Sequence, residues 1–220
     1  MQYIFSEDSG NQTLELEGEL YKYIVRVRRY KEGDKLHLRN LKNDTLYKYT
    51  IENISKKTLT LTLFSKSFEK KSIDKKLHIF WCIIDPKIII KTLPFLNQIG
   101  VTKITFVYCD RSQKNFKIDL LKLKSILINS SQQSGRTHLM ELEVVNELKT
   151  ILSKNSDLAF LDFGGEKSFK RLKKVLIGCE GGFSEEEREL LKKQEKIAFD
   201  SQNILKSETA VVAVASKLLI

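Results

Sequence analysis

The residues of this 220-residue chain best suited to chemistry are glycines set beside polar side chains. Six of its ten glycines fall between Gly135 and Gly182. Two groups close runs that read as strands: Gly164-Gly165 after DLAFLDF, and Gly178-Cys179-Glu180-Gly181-Gly182-Phe183 after KVLI. Glycines at the carboxyl end of a strand let a ligand approach main-chain amides closely, and open α/β sheets bind ligands there. The second group runs into Ser184-Glu185-Glu186-Glu187, where Ser184 can cap a helix and Glu187 completes a capping box. The ordinary alternative is a tight strand-to-helix turn with no ligand. The loop has neither the G-x-x-x-x-G-K-[ST] nor the G-x-G-x-x-G pattern of a phosphate cradle. Glu180 would also repel a phosphate, so a cofactor other than a polyphosphate fits better. The strand LHIFWCII is followed by Asp85-Pro86-Lys87 without glycine, which argues against a Rossmann dinucleotide site.

Three further segments carry polar groups. Residues 204–210 (ILKSETA) place Lys206 and Glu208 in an apolar stretch; the alternative is a solvated helix start capped by Ser207. Residues 130–136 end in Gly135-Arg136; the alternative is a helix C-terminus stopped by glycine. Residues 20–31 (LYKYIVRVRRYK) hold five basic side chains, among them Arg26, Arg28 and Arg29, with three tyrosines and no acid. Such a segment can meet RNA phosphates and stack on bases; the alternative is an amphipathic element with a solvated basic face. The whole chain carries 38 Lys and Arg against 28 Asp and Glu, a net charge of +10, which favours a polyanionic partner.

Cys82, Cys109 and Cys179 form no C-x-x-C pair, and His37, His78 and His138 are scattered, so no metal is expected. Three unpaired cysteines suit a reducing, cytoplasmic setting. The first ten residues have no signal-peptide pattern. The longest uncharged runs, 92–102 and 125–135, are eleven residues each, against about 18 for a membrane span.

The elements that must position these groups fall into two parts. Residues 1–72 read as a small barrel, with strands at 35–41, 46–51 and 58–64; the last alternates Thr with Leu. Residues 65–76 are polar and read as a linker. Residues 73–220 alternate strands (77–84, 103–108, 139–145, 157–163, 174–177, 196–199) with helices (86–99, 116–131, 147–154, 184–194, 209–220). That alternation predicts a mostly parallel α/β sheet.

Gly178-x-Glu180-Gly181-Gly182-Phe183-Ser184, the later Ile204-Leu205-Lys206-x-Glu208-Thr209-Ala210 and the earlier Gln133-Ser134-x-Arg136 resemble, in that order, the motifs of the RsmE family. Arg29-x-x-x-Gly33-Asp34, Lys87 and Gly100-Val101 fit as well, and the resemblance spans nearly the whole chain. It implies a SPOUT-type α/β fold with a C-terminal trefoil knot, a PUA-like N-terminal barrel, a homodimer, and methyl transfer from S-adenosylmethionine to N3 of a uridine in small-subunit ribosomal RNA. Nothing in periodicity or composition implies the knot. The resemblance points to Leu161, Phe163, Gly164, Gly178, Glu180, Gly181, Gly182, Phe183, Ile204, Leu205, Lys206 and Thr209 as cofactor residues. Glu208 is the candidate base for the N3 proton, Arg136 the stabiliser of the uridine anion or a phosphate clamp, and Arg111 an RNA contact. N3 lies on the pairing edge, so the uridine must be unpaired. Cys179 stands where the family usually has proline, Asn203 and Lys206 where it has arginines, and Ser201 where it has glycine. A different SPOUT methyltransferase and a non-catalytic RNA-binding assembly protein are the competing readings.

Overall fold

The computed structural model describes residues 2–69 and 75–220. The chain divides into two compact units, Met1–Ser72 with Ser131–Leu139, and Ile73–Ser130 with Met140–Ile220.

The first unit is built on five strands: β1 (Ile4–Phe5), β2 (Thr13–Glu17), β3 (Lys35–Arg39), β4 (Thr45–Ile54) and β5 (Thr58–Phe68), in the order β1-β3-β4-β5-β2. Period-2 alternation puts Leu14 and Leu16 of β2 opposite Leu61 and Leu59 of β5, all four buried. A short helix α1 (Gly18–Tyr21) and a π-helical turn (Lys22–Val27) add Tyr21 and Ile24 to this core. The linker expected at 65–76 is corrected in part. Ser65–Phe68 extends β5, with Lys48↔Ser65 and Thr45↔Phe68 in register. Its polar side chains hide the strand from hydrophobic pattern alone. Residues 70–74 of that linker lie outside the described residues. Gly135 does stop a helix: its φ is +77°, and its N–H and that of Arg136 both donate to Ser131 O.

The second unit is a six-stranded sheet, β6 (His78–Cys82), β7 (Lys103–Val107), β8 (Glu141–Val145), β9 (Ala159–Glu166), β10 (Lys174–Ile177) and β11 (Glu195–Ile197). Its order is β11-β9-β10-β6-β7-β8, and each neighbouring pair is parallel. Its helices are α2 (Pro86–Ile99), α3 (Leu120–Ser134, whose last residues group with the first unit), α4 (Leu148–Leu152), α5 (Glu185–Leu191) and α6 (Ser207–Leu219). Helix α2 starts where Asp85 accepts from Lys87 N at 2.8 Å and stops at Gly100, φ +112°. Helix α6 buries Ala210, Val211, Val214 and Ala215, and packs on α2.

Two expectations change here. Gly164 and Gly165 lie inside β9 rather than beyond it; a Cβ on Gly165 would come within 2.6 Å of the Ile197 carbonyl carbon, so glycine permits the β9–β11 approach. Cys82 and Cys109 are joined as a disulfide, Cα–Cα 5.7 Å. Register explains it: Cys82 lies opposite Val107, and Cys109 follows two residues beyond. Pairing across 27 residues leaves no local sequence signal. No helix of the described residues is long and apolar enough to cross a membrane.

His78 opens β6, stacked on Phe80 with ring centroids 3.9 Å apart and Nε2 2.8 Å from Thr105 Oγ1. Burial, helped by Lys103, pulls its pKa from 6.5 down to about 4. The unfolded chain therefore takes up this proton first as pH falls. The stabilisation is complete above the unfolded value of 6.5 and is lost as pH drops toward 4. We expect stability to fall by about 1–3 kcal/mol over that window through His78. Urea unfolding at both ends of the window should show a smaller fall for His78→Gln; an identical fall in the variant would assign the effect to other groups.

Candidate active site

A cavity of about 490 Å³ opens toward the carboxyl ends of β9 and β10. Three segments shape it: Leu161–Gly164 of β9, the 177–183 loop after β10, and residues 198–205 leading to α6. Exposed Phe163 and Ile204 (68% and 79%) stand at its mouth.

The loop after β10 is closed on itself and clamped from one side. Gly182 has φ +67°, and its N–H donates to Cys179 O at 2.9 Å, forming the turn. Cys179 Sγ donates to Gly182 O at 3.6 Å, and burial raises the thiol's pKa. Ser184 caps α5 and receives the full capping box: Ser184 N donates to Glu187 Oε2 (3.0 Å), and Glu187 N donates to Ser184 Oγ (3.1 Å). The second oxygen of buried Glu187 accepts from Asp110 N at 3.0 Å, and Ser184 Oγ donates to Asp110 Oδ2. Arg111 Nη1 then donates to Gly181 O at 2.6 Å. A Cβ on Gly181 would meet the Arg111 side chain at 3.2 Å, so this glycine answers to close approach, whereas Gly182 answers to backbone conformation.

The other side is held through α6. Buried Ser207 accepts from Trp81 Nε1 at 2.9 Å and donates to Gly178 O at 2.5 Å. Ser207 is thus the first helical residue and an anchor, not the cap of the alternative reading; the N-cap is Lys206. On the cavity wall, Asp162 takes Arg188 Nε at 2.8 Å and Nη2 at 3.5 Å. That hydrogen bonding holds Arg188 above its ordinary pKa.

Ten of the residues expected in the cofactor site meet in this cavity: Leu161, Phe163, Gly164, Gly178, Glu180, Gly181, Gly182, Phe183, Ile204 and Leu205. Lys206 and Thr209 are exposed and do not line it. Helical rotation explains this: Ser207 and Ala210, three apart, share the cavity face, while Glu208 and Thr209 turn to other faces. Glu208 is half-buried, and its Oε2 is buried without a hydrogen-bond partner among the described residues. Arg111 lines the cavity beside Gly181. Arg136 folds with the first unit, where Tyr3 OH donates to its carbonyl, its Nε donates to His138 O at 2.8 Å, and burial lowers its pKa to about 10. Sequence reasoning missed Ile177, Arg188, Ala198, Phe199 and Ala210. Only Arg188 carried a signal, as the basic residue one turn beyond the capping serine. Arg26, Arg28 and Arg29 are exposed on the π-helical turn and just after it. The neighbouring tyrosines pack inward instead of offering stacking faces: Tyr21 is buried with OH donating to Ser55 O, and Tyr23 and Tyr30 lie against the core. Among the described residues, no group of three or more His, Cys, Asp or Glu is placed to hold a metal ion.

Gly182→Ala puts a Cβ on a left-handed backbone, which costs about 1–2 kcal/mol. Thermal unfolding should register that loss. Gly178→Ala meets only ordinary contacts, at 3.4 Å and beyond, and should be milder; equal effects would contradict the conformational argument.

A family model for an RNA methyltransferase domain matches residues 70–219, and a model for an RNA methyltransferase PUA domain matches residues 16–64. The chain is 42% identical over 222 residues to the ribosomal RNA small subunit methyltransferase E of Helicobacter pylori, with 98% of each chain covered. It is 24% identical over 232 residues to that of Aquifex aeolicus, covering 100% of this chain and 99% of the relative. A crystal structure of ribosomal RNA small subunit methyltransferase E from Neisseria gonorrhoeae bound to S-adenosyl methionine shares the fold: TM-score 0.83 at 17% identity, with 99% and 96% of the chains covered. With its glycine loop, parallel sheet and two matched domains, the chain belongs to the ribosomal RNA small subunit methyltransferase E family.

Proposed function

We propose that the protein transfers the methyl group of S-adenosylmethionine to N3 of a uridine in small-subunit ribosomal RNA. The observation that carries this reading is the cavity at the ends of β9 and β10, walled by the family's motif residues in a chain 42% identical to a small-subunit RNA methyltransferase.

The cavity fits the donor. Its walls are largely apolar (Leu161, Phe163, Phe199, Leu205), suiting an adenine face, and the 178–182 main chain can bond the purine edge and ribose. The tight packing at Gly181 leaves main chain, not side chain, facing the ligand. When bound, the donor supplies an electrophilic methyl on a sulfonium. The protein's own residues then do the rest: the three segments align the groups, which can supply much of the acceleration, and Glu208 takes the N3 proton. Glu208 is one residue from the cavity-lining Ser207, and its Oε2 has no hydrogen-bond partner among the described residues. Arg136, still a cation at neutral pH, stabilises the uridine anion or clamps a phosphate. Residues 1–72 act as the RNA-binding module, with Arg26, Arg28 and Arg29 on its exposed face, and residues 73–220 as the transfer module. Threading of the chain into a trefoil knot accords with the placement of β9 between β10 and β11 and the pinning of α6 beneath Gly178. The working form is a homodimer in the cytoplasm. With Cys82 and Cys109 paired, the cytoplasmic reading rests on the ribosomal partner and not on cysteine chemistry.

The direct test is methyl transfer from labelled donor to undermethylated small subunits, followed by nucleoside analysis; a product other than N3-methyluridine would favour another base position. Glu208→Gln should lower transfer by about 10²–10⁴-fold while donor affinity holds, and raising pH should partly restore it as the uridine ionises. Parallel loss of donor affinity would make Glu208 structural. Replacing Arg26, Arg28 and Arg29 with alanine should weaken RNA binding and flatten its salt dependence with donor affinity intact; an unchanged salt slope would reduce that face to a solvated one.

A further inference from the structure

A second concavity of the transfer unit, about 740 Å³, gathers cations that the proposed chemistry does not use. Lys75, Lys76, Lys170, Arg171, Lys173 and Lys217 line it, over a floor that includes Leu77 and Leu172. Another lining residue, Lys167, is held 2.5 Å from Asp200. No acidic side chain lines the concavity among the described residues. Residues 75–77 lead into β6, and 172–173 lead into β10, so it lies at the amino ends of those strands, where the donor cavity lies at the carboxyl end. Helix α6 runs from Ser207 at the donor cavity to Lys217 at the groove, a span of about 15 Å at 1.5 Å per residue.

Gathering like charges costs self-repulsion, which a polyanion relieves with release of its counterions. A small-ligand pocket would converge a few buried polar groups on one point. Here Lys75, Lys76, Lys170, Arg171, Lys173 and Lys217 are exposed around an open concavity, the arrangement that tracks a phosphodiester chain. One wall also connects the two sites. Lys217 Nζ lies 4.5 Å from the Phe169 ring centroid and 5.9 Å from that of Phe199, and the two rings stack at 5.2 Å. Phe169 lines the groove and Phe199 lines the donor cavity.

We propose that this groove is a phosphodiester-binding surface of the transfer unit, holding the backbone of the ribosomal RNA while its target nucleotide is presented at the mouth of the donor cavity. The proposal rests on the reading of ribosomal RNA as substrate. Glutamine keeps length and polarity while removing charge, so Lys76→Gln, Lys170→Gln and Lys173→Gln are combined in one variant. Binding to undermethylated small-subunit RNA should weaken about tenfold or more at moderate salt. The slope of log affinity against log salt should shrink by roughly 2–3, since three phosphate contacts are lost. Donor affinity by calorimetry should stay at the parent value, and the KM for RNA should rise with little change in kcat. A charge-reversed pair, Lys170→Glu with Lys173→Glu, should weaken RNA binding further and provides a second reading if the triple variant folds poorly. Parent-like affinity and salt slope in a folded variant overturn the groove alone, provided the parent methylates the RNA. A parent that neither binds nor methylates it overturns the functional reading and the groove together.

Discussion

One buried hydroxyl fixes the architecture of the cavity. Ser207 takes the Trp81 indole N–H and gives its own proton to the Gly178 carbonyl. Trp81 is fully buried at the heart of β6, and an indole donor left unpaired there would cost about 1–3 kcal/mol. The two bonds bridge elements 126 and 29 residues apart, joining β6, the loop after β10 and the start of α6. Because α6 must begin at Ser207, Ala210 falls one turn on against the cavity and Glu208 falls to another face.

The opposite side of that loop is fixed by charge. Glu187 is nearly fully buried, yet each carboxylate oxygen accepts a main-chain N–H, from Ser184 and from Asp110. A buried carboxylate so satisfied is a rigid staple, not a liability. Asp110 also receives the Ser184 hydroxyl, so the 109–112 turn and the start of α5 form one hydrogen-bonded block. The disulfide at Cys109 ties the same turn back to the end of β6, the strand that carries Trp81. Both clamps therefore return to one strand, and the glycine loop has little freedom except at its own peptide planes.

This division explains what the sequence disclosed. The capping box at Ser184, the bounds of α2 between Asp85 and Gly100, and the glycine stop at Gly135 depend on residues a few positions apart, so their chemistry is written locally. The alternating Leu of β5 and the apolar β6 are equally local. Ser65–Phe68 escaped because a strand supported by main-chain pairing needs no apolar face. Gly164 and Gly165 were placed past a strand because glycine reads as punctuation; only the β11 backbone beside Gly165 shows why a strand needs it. The contacts of Arg111 and Ser207 were not legible locally, because their partners, Gly181, Trp81 and Gly178, are distant in sequence. The Cys82–Cys109 bond and the Asp162–Arg188 pair were hidden for the same reason.

The departures from the family's usual residues can be weighed the same way. Lys206 is exposed and outside the cavity wall, so exchanging arginine for lysine there leaves the wall unchanged. Cys179, in place of proline, gives up a fixed φ, but its thiol bonds Gly182 O across the turn and restores part of the constraint. Ser201, in place of glycine, has an oxygen that accepts from Asn203 N at 3.1 Å and a hydroxyl that donates to Asn203 O at 3.4 Å. Both of these substitutions lie in loops whose shape is carried by main-chain carbonyls and amides. On the proposed reading, in which main-chain groups hold the donor, side-chain exchange is tolerated as long as the loop path survives. The path here is held at Ser207 on one side and Glu187 on the other, neither of which is among the altered positions.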